Sequence, residues 1–247
     1  MRSPITRDHY DAVLFDLDGV ITDTANMHAA CWKQMFDEFL QKRAAERGEP
    51  FRPFEVPTDY LLYVDGKPRF DGVRDFLTSR GLQLPEGSPD DSPQAETVCG
   101  LGNRKNELVN KVIEEVGVEP YEGTVKLINQ LRHQGFKIAV VTSSQNCEAV
   151  LKAAKLDAFF EVRVDGNTIR AQHLAGKPAP DTFLTAAQQL GVDPTRAVVV
   201  EDAISGVEAG RNGNFGLVIG VARKGNAEEL RHYGANLVVN DLGELVE

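Results

Sequence analysis

Asp16-Leu17-Asp18-Gly19-Val20-Ile21-Thr22-Asp23-Thr24 is the stretch on which the reading of the fold turns. It follows Ala12-Val13-Leu14-Phe15, a short apolar run that reads as a buried strand bounded by turn residues. Two carboxylates thus stand where a strand ends. In an open α/β sheet, ligands bind in the crevice outside the carboxyl ends of the strands. Residues two apart in extended chain point the same way, so Asp16 and Asp18 are expected to converge on one metal or one phosphate. The expectation is phosphoryl chemistry on a carboxylate. For an Asp-x-Asp-Gly sequence alone, a surface turn or an adventitious calcium loop is the plainer alternative.

Working outward, the first strand has no partner nearby. Ala25 to about Arg47 carries Met27, Ala30, Cys31, Met35, Phe36, Phe39 and Leu40 at helical spacing and predicts a long helix. Phe51 to Pro57 is proline-bearing irregular chain, followed by a short helix through Tyr60, Leu61 and Leu62 and a turn at Asp65-Gly66-Lys67-Pro68. Phe70 to Arg80 predicts another helix, Pro85 to Gln94 an exposed loop, and Asn103 to Val116 a further helix.

From Glu122 the pattern changes to alternating helix and strand. Strands are expected at Lys137–Thr142, around Glu161–Val164, and at Ala197–Glu201, Gly216–Gly220 and Leu237–Val239. Helices separate them, to about His133, near Gln145–Ala154, at Asp181–Leu190 and Ile204–Arg211, and near Asn226–His232. Such alternation predicts an α/β fold with a doubly wound, mostly parallel Rossmann-like sheet. A single parallel strand cannot bury both its faces, so the first strand must join that later sheet. The expected organisation is an α/β core from residues 1–25 and 119–247, interrupted by a helical insertion, 26–118, placed to act as a lid.

Composition narrows the function classes. The chain has 247 residues, 42% of them hydrophobic, enough for a sizeable core. A formal charge of −10 argues against sequence-independent binding to nucleic acid or to an anionic membrane. No apolar run reaches the roughly 18–20 residues of a membrane span, and the opening Met1-Arg2-Ser3-Pro4 lacks the apolar core of a signal peptide, so a cytoplasmic protein is expected. A monomer is expected as well, although no residue pattern decides it. Cys31, Cys99 and Cys147 are scattered without a C-x-x-C pair and read as free thiols.

Four segments fall at strand ends, and each carries chemistry fitted to a phosphate. The first is Asp16-Leu17-Asp18. The second, Thr142-Ser143-Ser144-Gln145-Asn146, offers hydroxyls and backbone N–H groups where a helix opens, although a plain helix cap uses the same residue types. The third, Gly176-Lys177-Pro178-Ala179-Pro180-Asp181, presents a lysine between glycine and proline; a solvated loop lysine is the alternative. The fourth is Glu201-Asp202 after Ala197-Val198-Val199-Val200. Adjacent acids there are costly unless paired or bound to metal, though a helix N-terminus also favours acids. Taken together, they form a coherent set of nucleophile, acid, cation, hydroxyls and metal ligands along one sheet edge.

The order Asp16-x-Asp18, Thr142 or Ser143, Lys177, Glu201-Asp202 resembles the four signature motifs of the haloacid dehalogenase superfamily of phosphotransferases. Within it, Asp16 to Trp32 (DLDGVITDTANMHAACW) and Gly176 to Asp181 resemble the β-phosphoglucomutase subfamily. The resemblance implies that Asp16 is a nucleophile forming an aspartyl phosphate and that Asp18 is the general acid/base. It implies Mg²⁺ held by Asp16, the backbone carbonyl of Asp18, and Asp202, with Glu201 nearby, and oxygen-only ligation suits magnesium. Thr142, Ser143, Asn146 and Lys177 would cradle the transferring phosphoryl group, with Ser144 and Gln145 of the same segment set toward substrate. The insertion would be a small cap. There Gly66-Lys67-Pro68-Arg69 resembles a specificity loop whose Arg69 clamps the distal phosphate, and Lys105 and Asn106 resemble residues that reach the sugar phosphate. Thr24, His28 and Trp32 resemble hinge positions and, spaced four apart, share one helix face, which also suits a half-buried aromatic face. Lys67 and Pro68 make the loop more basic and stiffer than the family pattern, and the Phe51–Pro57 and Pro85–Gln94 segments look like insertions.

The resulting expectation is a Mg²⁺-dependent mutase interconverting β-D-glucose 1-phosphate and glucose 6-phosphate through a sugar bisphosphate. A phosphatase that releases the aspartyl phosphate to water is the nearest rival, and a catalytically silent sugar-phosphate sensor on the same fold is the rival from another class.

Overall fold

In the computed structural model, which describes residues 3–247, the apolar run Ala12 to Phe15 forms β1 (Ala12–Phe15), with every side chain sealed from solvent. It lies in the middle of a six-stranded sheet with β2 (Lys137–Val141), β3 (Val162–Val164), β4 (Ala197–Glu201), β5 (Leu217–Val221) and β6 (Leu237–Val239). The strand order is β3-β2-β1-β4-β5-β6, and every pairing is parallel. Val13 is in register with Ile138 on one side and Val198 on the other. Continuous runs such as Ala-Val-Val-Val in β4 are what a parallel sheet covered on both faces requires.

The chain divides into two compact units: the described residues up to Thr24 with Val118–Glu247, and Ala25–Gly117. In the first unit, Ala12, Leu14, Ala139, Val141, Ala197 and Val199 pack with residues of α7 (Asp181–Leu190), α8 (Ile204–Asn212) and α9 (Ala227–Tyr233). Alternate residues, among them Val13, Phe15, Ile138 and Val140, face the other way, where α4 (Glu122–His133) packs on β2. Helices therefore cover both faces, and the α/β, doubly wound expectation stands as a finding.

Two local expectations differ in this unit. Helix α5 (Cys147–Ala153) starts two residues later than Gln145. Helix α6 (Gly166–Gln172) was not anticipated: it is short and buries only Gly166 and Ile169, too few apolar residues to leave a periodic pattern. Its signal was Asp165, whose carboxylate accepts the N–H groups of Asn167 and Thr168, each at 2.9 Å.

The second unit is helical: α1 (Ala25–Arg47), α2 (Arg69–Ser79) and α3 (Val98–Val116), with a π-helical turn at Val56–Val64. Phe36, Phe54 and Phe76 stack at its centre with Trp32, Val73 and Leu101. The π-helix contains the short helix expected through Tyr60, Leu61 and Leu62 and extends back to Val56, into chain expected to be irregular. Pro57 opens it, and Asp65 N–H reaches back five residues to Tyr60 O at 2.9 Å, a wider winding than the 3.6-residue period reveals. Helix α3 begins at Val98 rather than Asn103, capped by Thr97 Oγ1 on Gly100 N–H at 2.9 Å. Glycines at 100 and 102 lower helix propensity by about 1 kcal/mol each, which hid this turn. Gly102 has a packing reason, since a Cβ there would sit 2.7 Å from the Phe70 ring. All three cysteines are buried free thiols, and among the described residues no helix is long and apolar enough to cross a membrane.

Candidate active site

The two central strands deliver the acids. Asp16 directly follows β1, and its N–H still donates to Val200 O at 2.9 Å, so the carboxylate is fixed by the ladder that carries it. Glu201 is the last residue of β4, and Asp202 is the next. The three are 6%, 0% and 2% exposed, and one carboxylate oxygen from each lies within 4.8 Å of the others. Acids this close, stripped of water, repel one another and lose hydration.

Lys177 answers part of that charge. Its ammonium, 2% exposed as a residue, donates to Asp16 Oδ1 at 2.6 Å, Glu201 Oε1 at 2.5 Å and Val141 O at 3.1 Å. All three donor protons are used, so the lysine is held rigidly, as its place between glycine and proline suggested. Burial works to deprotonate Lys177, but the charges of Asp16 and Glu201 outweigh it and hold the ammonium up. Burial and the Glu201 charge push the Asp16 carboxyl well above the usual carboxylate range, and burial raises Glu201 as well. Three carboxylates around one buried ammonium leave the cluster with more negative than positive charge.

A second cation stands at the edge: Lys224 Nζ is 2.9 Å from Asp202 Oδ2, outside hydrogen-bonding alignment with that buried oxygen. The donor set is all carboxylate oxygen, the cluster carries excess negative charge, and one buried oxygen has no hydrogen bond. These features fit a hard divalent metal ion. Glu201 is the most committed of the three: besides Lys177 it accepts the N–H groups of Asp202 at 3.0 Å and Ala203 at 3.1 Å.

Asp18 is not one of the three carboxylates that lie within 4.8 Å of one another, although its charge is felt at Asp16. The strand has already ended at Phe15, and Gly19, with φ of 90°, turns the chain, so the two-residue alternation of extended backbone does not apply. The half-buried Asp18 carboxylate instead accepts from Thr24 Oγ1 at 2.5 Å and, at the limit of 3.5 Å, from Thr142 Oγ1. Thr24 in turn bonds Thr22 at 2.9 Å, and Thr22 reaches Leu17 O at 3.3 Å. Asp16 and Asp18 thus sit in different surroundings, one among charges and one on hydroxyls.

Thr142 continues β2, its N–H donating to Val164 O at 2.9 Å, and its hydroxyl accepts Ser144 N–H at 3.1 Å. Ser143 is half-buried beside it, and Asn146 occupies the N-cap position of α5, its N–H on Ser144 Oγ at 3.1 Å. The backbone carbonyls of Ser144 and Gln145 hold the start of α6, through Gly166 N–H at 2.9 Å and Asn167 Nδ2 at 3.0 Å.

Within the helical unit, Lys105 links two expected residues: its buried ammonium is 2.7 Å from His28 Nδ1 and 5.0 Å from the centre of the Trp32 ring. His28 and Trp32 share a buried face of α1, whereas Thr24 precedes the helix and belongs to the other unit. Arg69 opens α2, donating to Asn103 Oδ1 at 3.0 Å with its guanidinium 4.9 Å from the Phe70 ring centre. Gly66 takes a left-handed φ of 72° at the turn, and Asn106 lies half-buried on α3. Lys67 is tied down by Asp75 at 2.6 Å and the Leu62 carbonyl at 3.4 Å.

Sequence reasoning missed Lys224 and Thr22. Arg223-Lys224-Gly225 lies just beyond β5, the same strand-end position that singled out the other four segments.

The haloacid dehalogenase-like hydrolase family model matches residues 10–214. A Mycobacterium tuberculosis protein named beta-phosphoglucomutase is 52% identical over 238 residues, 95% of this chain and 91% of that relative. A Bacillus subtilis protein of the same name is 30% identical, covering 95% and 91%. The crystal structure of beta-phosphoglucomutase from Clostridium difficile has the same fold, with a TM-score of 0.72, 24% identity and coverage of 96% and 93%.

Proposed function

The chain belongs to the haloacid dehalogenase-like hydrolase family and is an enzyme, and from that premise we propose that it is a Mg²⁺-dependent phosphomutase. Its reaction in this reading interconverts β-D-glucose 1-phosphate and glucose 6-phosphate through an aspartyl-phosphate enzyme and β-glucose 1,6-bisphosphate. The observation that carries it is the buried Asp16 carboxylate clamped by Lys177 inside the Glu201–Asp202 cluster. The 52% identity to a protein named beta-phosphoglucomutase supports the choice of substrate.

Asp16 is the nucleophile. A carboxylate approaching a phosphate dianion meets repulsion, and Lys177 offsets it from a fixed position. When bound, Mg²⁺ would supply positive charge that offsets the charge of the phosphoryl group, and Asp16, the Asp18 carbonyl and Asp202, with Glu201 nearby, would hold it. Asp18, kept apart on Thr24, handles the proton. It takes the proton of the C6 hydroxyl as that oxygen attacks the aspartyl phosphate and frees Asp16, giving the bisphosphate. When Asp16 then attacks the C1 phosphate and the P–O bond to the sugar breaks, Asp18 returns the proton to the leaving oxygen. Thr142, Ser143 and Asn146 bind the transferring phosphoryl group, with Ser144 and Gln145 next to them. The helical unit supplies the reading of the rest of the substrate, through Arg69 on the distal phosphate and Lys105, Asn106, His28 and Trp32.

Purified protein with Mg²⁺, β-glucose 1-phosphate and a trace of the bisphosphate is expected to yield glucose 6-phosphate without matching release of inorganic phosphate. Phosphate released in step with substrate consumption would identify a phosphatase instead. Asp16→Asn is expected to lose activity by at least about a thousandfold while still binding sugar phosphate.

A further inference from the structure

The loop after β5 is anchored on both sides of the carboxylate cluster. Arg223 donates through Nε to Gly19 O at 2.8 Å and through Nη1 to Asp241 Oδ2 at 2.9 Å, and its guanidinium lies 3.4 Å from the centre of the Tyr121 ring. Asn226 Nδ2 donates to Asp202 O at 3.4 Å. Between these anchors Lys224 projects its ammonium to 2.9 Å from Asp202 Oδ2. The loop is thus fixed to the two segments that carry Asp16 and Asp202, and it presents one positive charge to the acid that Lys177 does not bond.

We propose that Lys224 is a resident counter-cation of the cluster, neutralising Asp202 in the metal-free enzyme and competing with the divalent ion for it. This rests on the metal-site reading above. The two lysines differ in the way the roles require. The Lys177 side chain is fully buried at the centre of the cluster, whereas the Lys224 side chain is 19% exposed at its edge, where solvent reaches it. A cation arriving at Asp202 is repelled by an ammonium already there, so metal affinity is set by a competition and not by the acids alone. The same ammonium spares the empty cluster part of its self-repulsion.

The test is calorimetric titration of metal-stripped protein with Mg²⁺, paired with thermal melts with and without the ion. Lys224→Met is expected to bind Mg²⁺ about tenfold tighter than the unaltered protein, because a nearby like charge has gone. It should melt lower than the unaltered protein without metal and close that gap when Mg²⁺ is saturating. Lys224→Arg, which keeps the charge, should bind within about threefold of the unaltered protein. Lys224→Gln, which loses the charge but keeps a polar side chain, should show the same tightening as methionine and serves if the methionine variant does not fold. Unchanged or weaker Mg²⁺ binding in both charge-removing variants would overturn the proposal. Unaltered protein that takes up no Mg²⁺ would instead defeat the metal-site reading, and the proposal with it.

Discussion

Lys177 Nζ stands 2.6 Å from Asp16 Oδ1 and bonds Glu201 from the same point, so the carboxylate assigned to attack phosphorus is positioned by the cation that offsets its charge. In the proposed reaction one side chain serves both as a structural ion pair and as an electrostatic catalyst.

Removing that cation leaves two buried acids face to face. Lys177→Met is expected to destabilise the metal-free protein by about 3–5 kcal/mol, measured by urea unfolding, and to abolish turnover. The pH sign follows from the raised carboxyls of Asp16 and Glu201. A group with a folded pKa above its unfolded one adds stability that is complete below the unfolded value, near pH 4 for these side chains, and that is lost as pH rises through the folded value. The variant should therefore be most stable in mild acid and weaken toward neutrality.

The shorter of the two hydroxyl bonds to Asp18 comes from Thr24. Thr24→Val keeps the shape of the side chain but removes the donor 2.5 Å from Asp18 Oδ1, and kcat is expected to fall by about ten- to a hundredfold. Thr24→Ser should restore most of the rate. If loss of packing and not of the hydroxyl were responsible, serine would do no better than valine.

Gly19 serves two ends at once. Its φ of 90° is a region that side chains avoid, and a Cβ there would come 2.6 Å from Asp202 Cγ. Gly19→Ala is expected to cost about 1–3 kcal/mol in urea unfolding and to weaken Mg²⁺ binding by displacing Asp202.

Asp241 gives a dependence of the opposite sign. Burial raises its carboxyl, but the Gly243 N–H and Arg223 more than offset this and leave it below the usual range. A lowered carboxyl contributes stability above its unfolded pKa that is lost as pH falls through the folded one. Asp241 also caps the final turn, its Oδ1 accepting Gly243 N–H at 2.7 Å. Asp241→Ala is expected to cost about 1 kcal/mol near pH 7 and less near pH 3. The side chain is 45% exposed, so salt should shrink the Arg223 share of the difference.

The sheet was legible because a doubly covered parallel strand must be apolar on both faces: Ala12–Phe15, Ile138–Val141 and Ala197–Val200 admit no other reading of similar economy. The acids at their ends were legible because the strands position them. The side-chain direction of Asp18 was not, since it depends on a turn set by Gly19 after the strand has ended. The helix through Tyr60–Leu62 was legible, but its π winding and its start at Val56 were not, because that winding has no signature in a 3.6-residue scan. Lys224 escaped for another reason: nothing in Arg223-Lys224-Gly225 says that β5 lies next to β4, and only that adjacency brings its ammonium to Asp202.

The place of β1 in the sheet has a consequence for how the protein is born. β1 is a central strand made well ahead of both its partners, and it must wait for Ile138 on one flank and Val198 on the other. The helical unit, with its own aromatic core, is synthesised whole within that interval. At about 5–20 residues per second the wait is on the order of ten seconds or more, during which Ala12 to Phe15 is an unpaired apolar segment. Asp16 is made long before Lys177, Glu201 and Asp202, so the charged cluster it belongs to closes late.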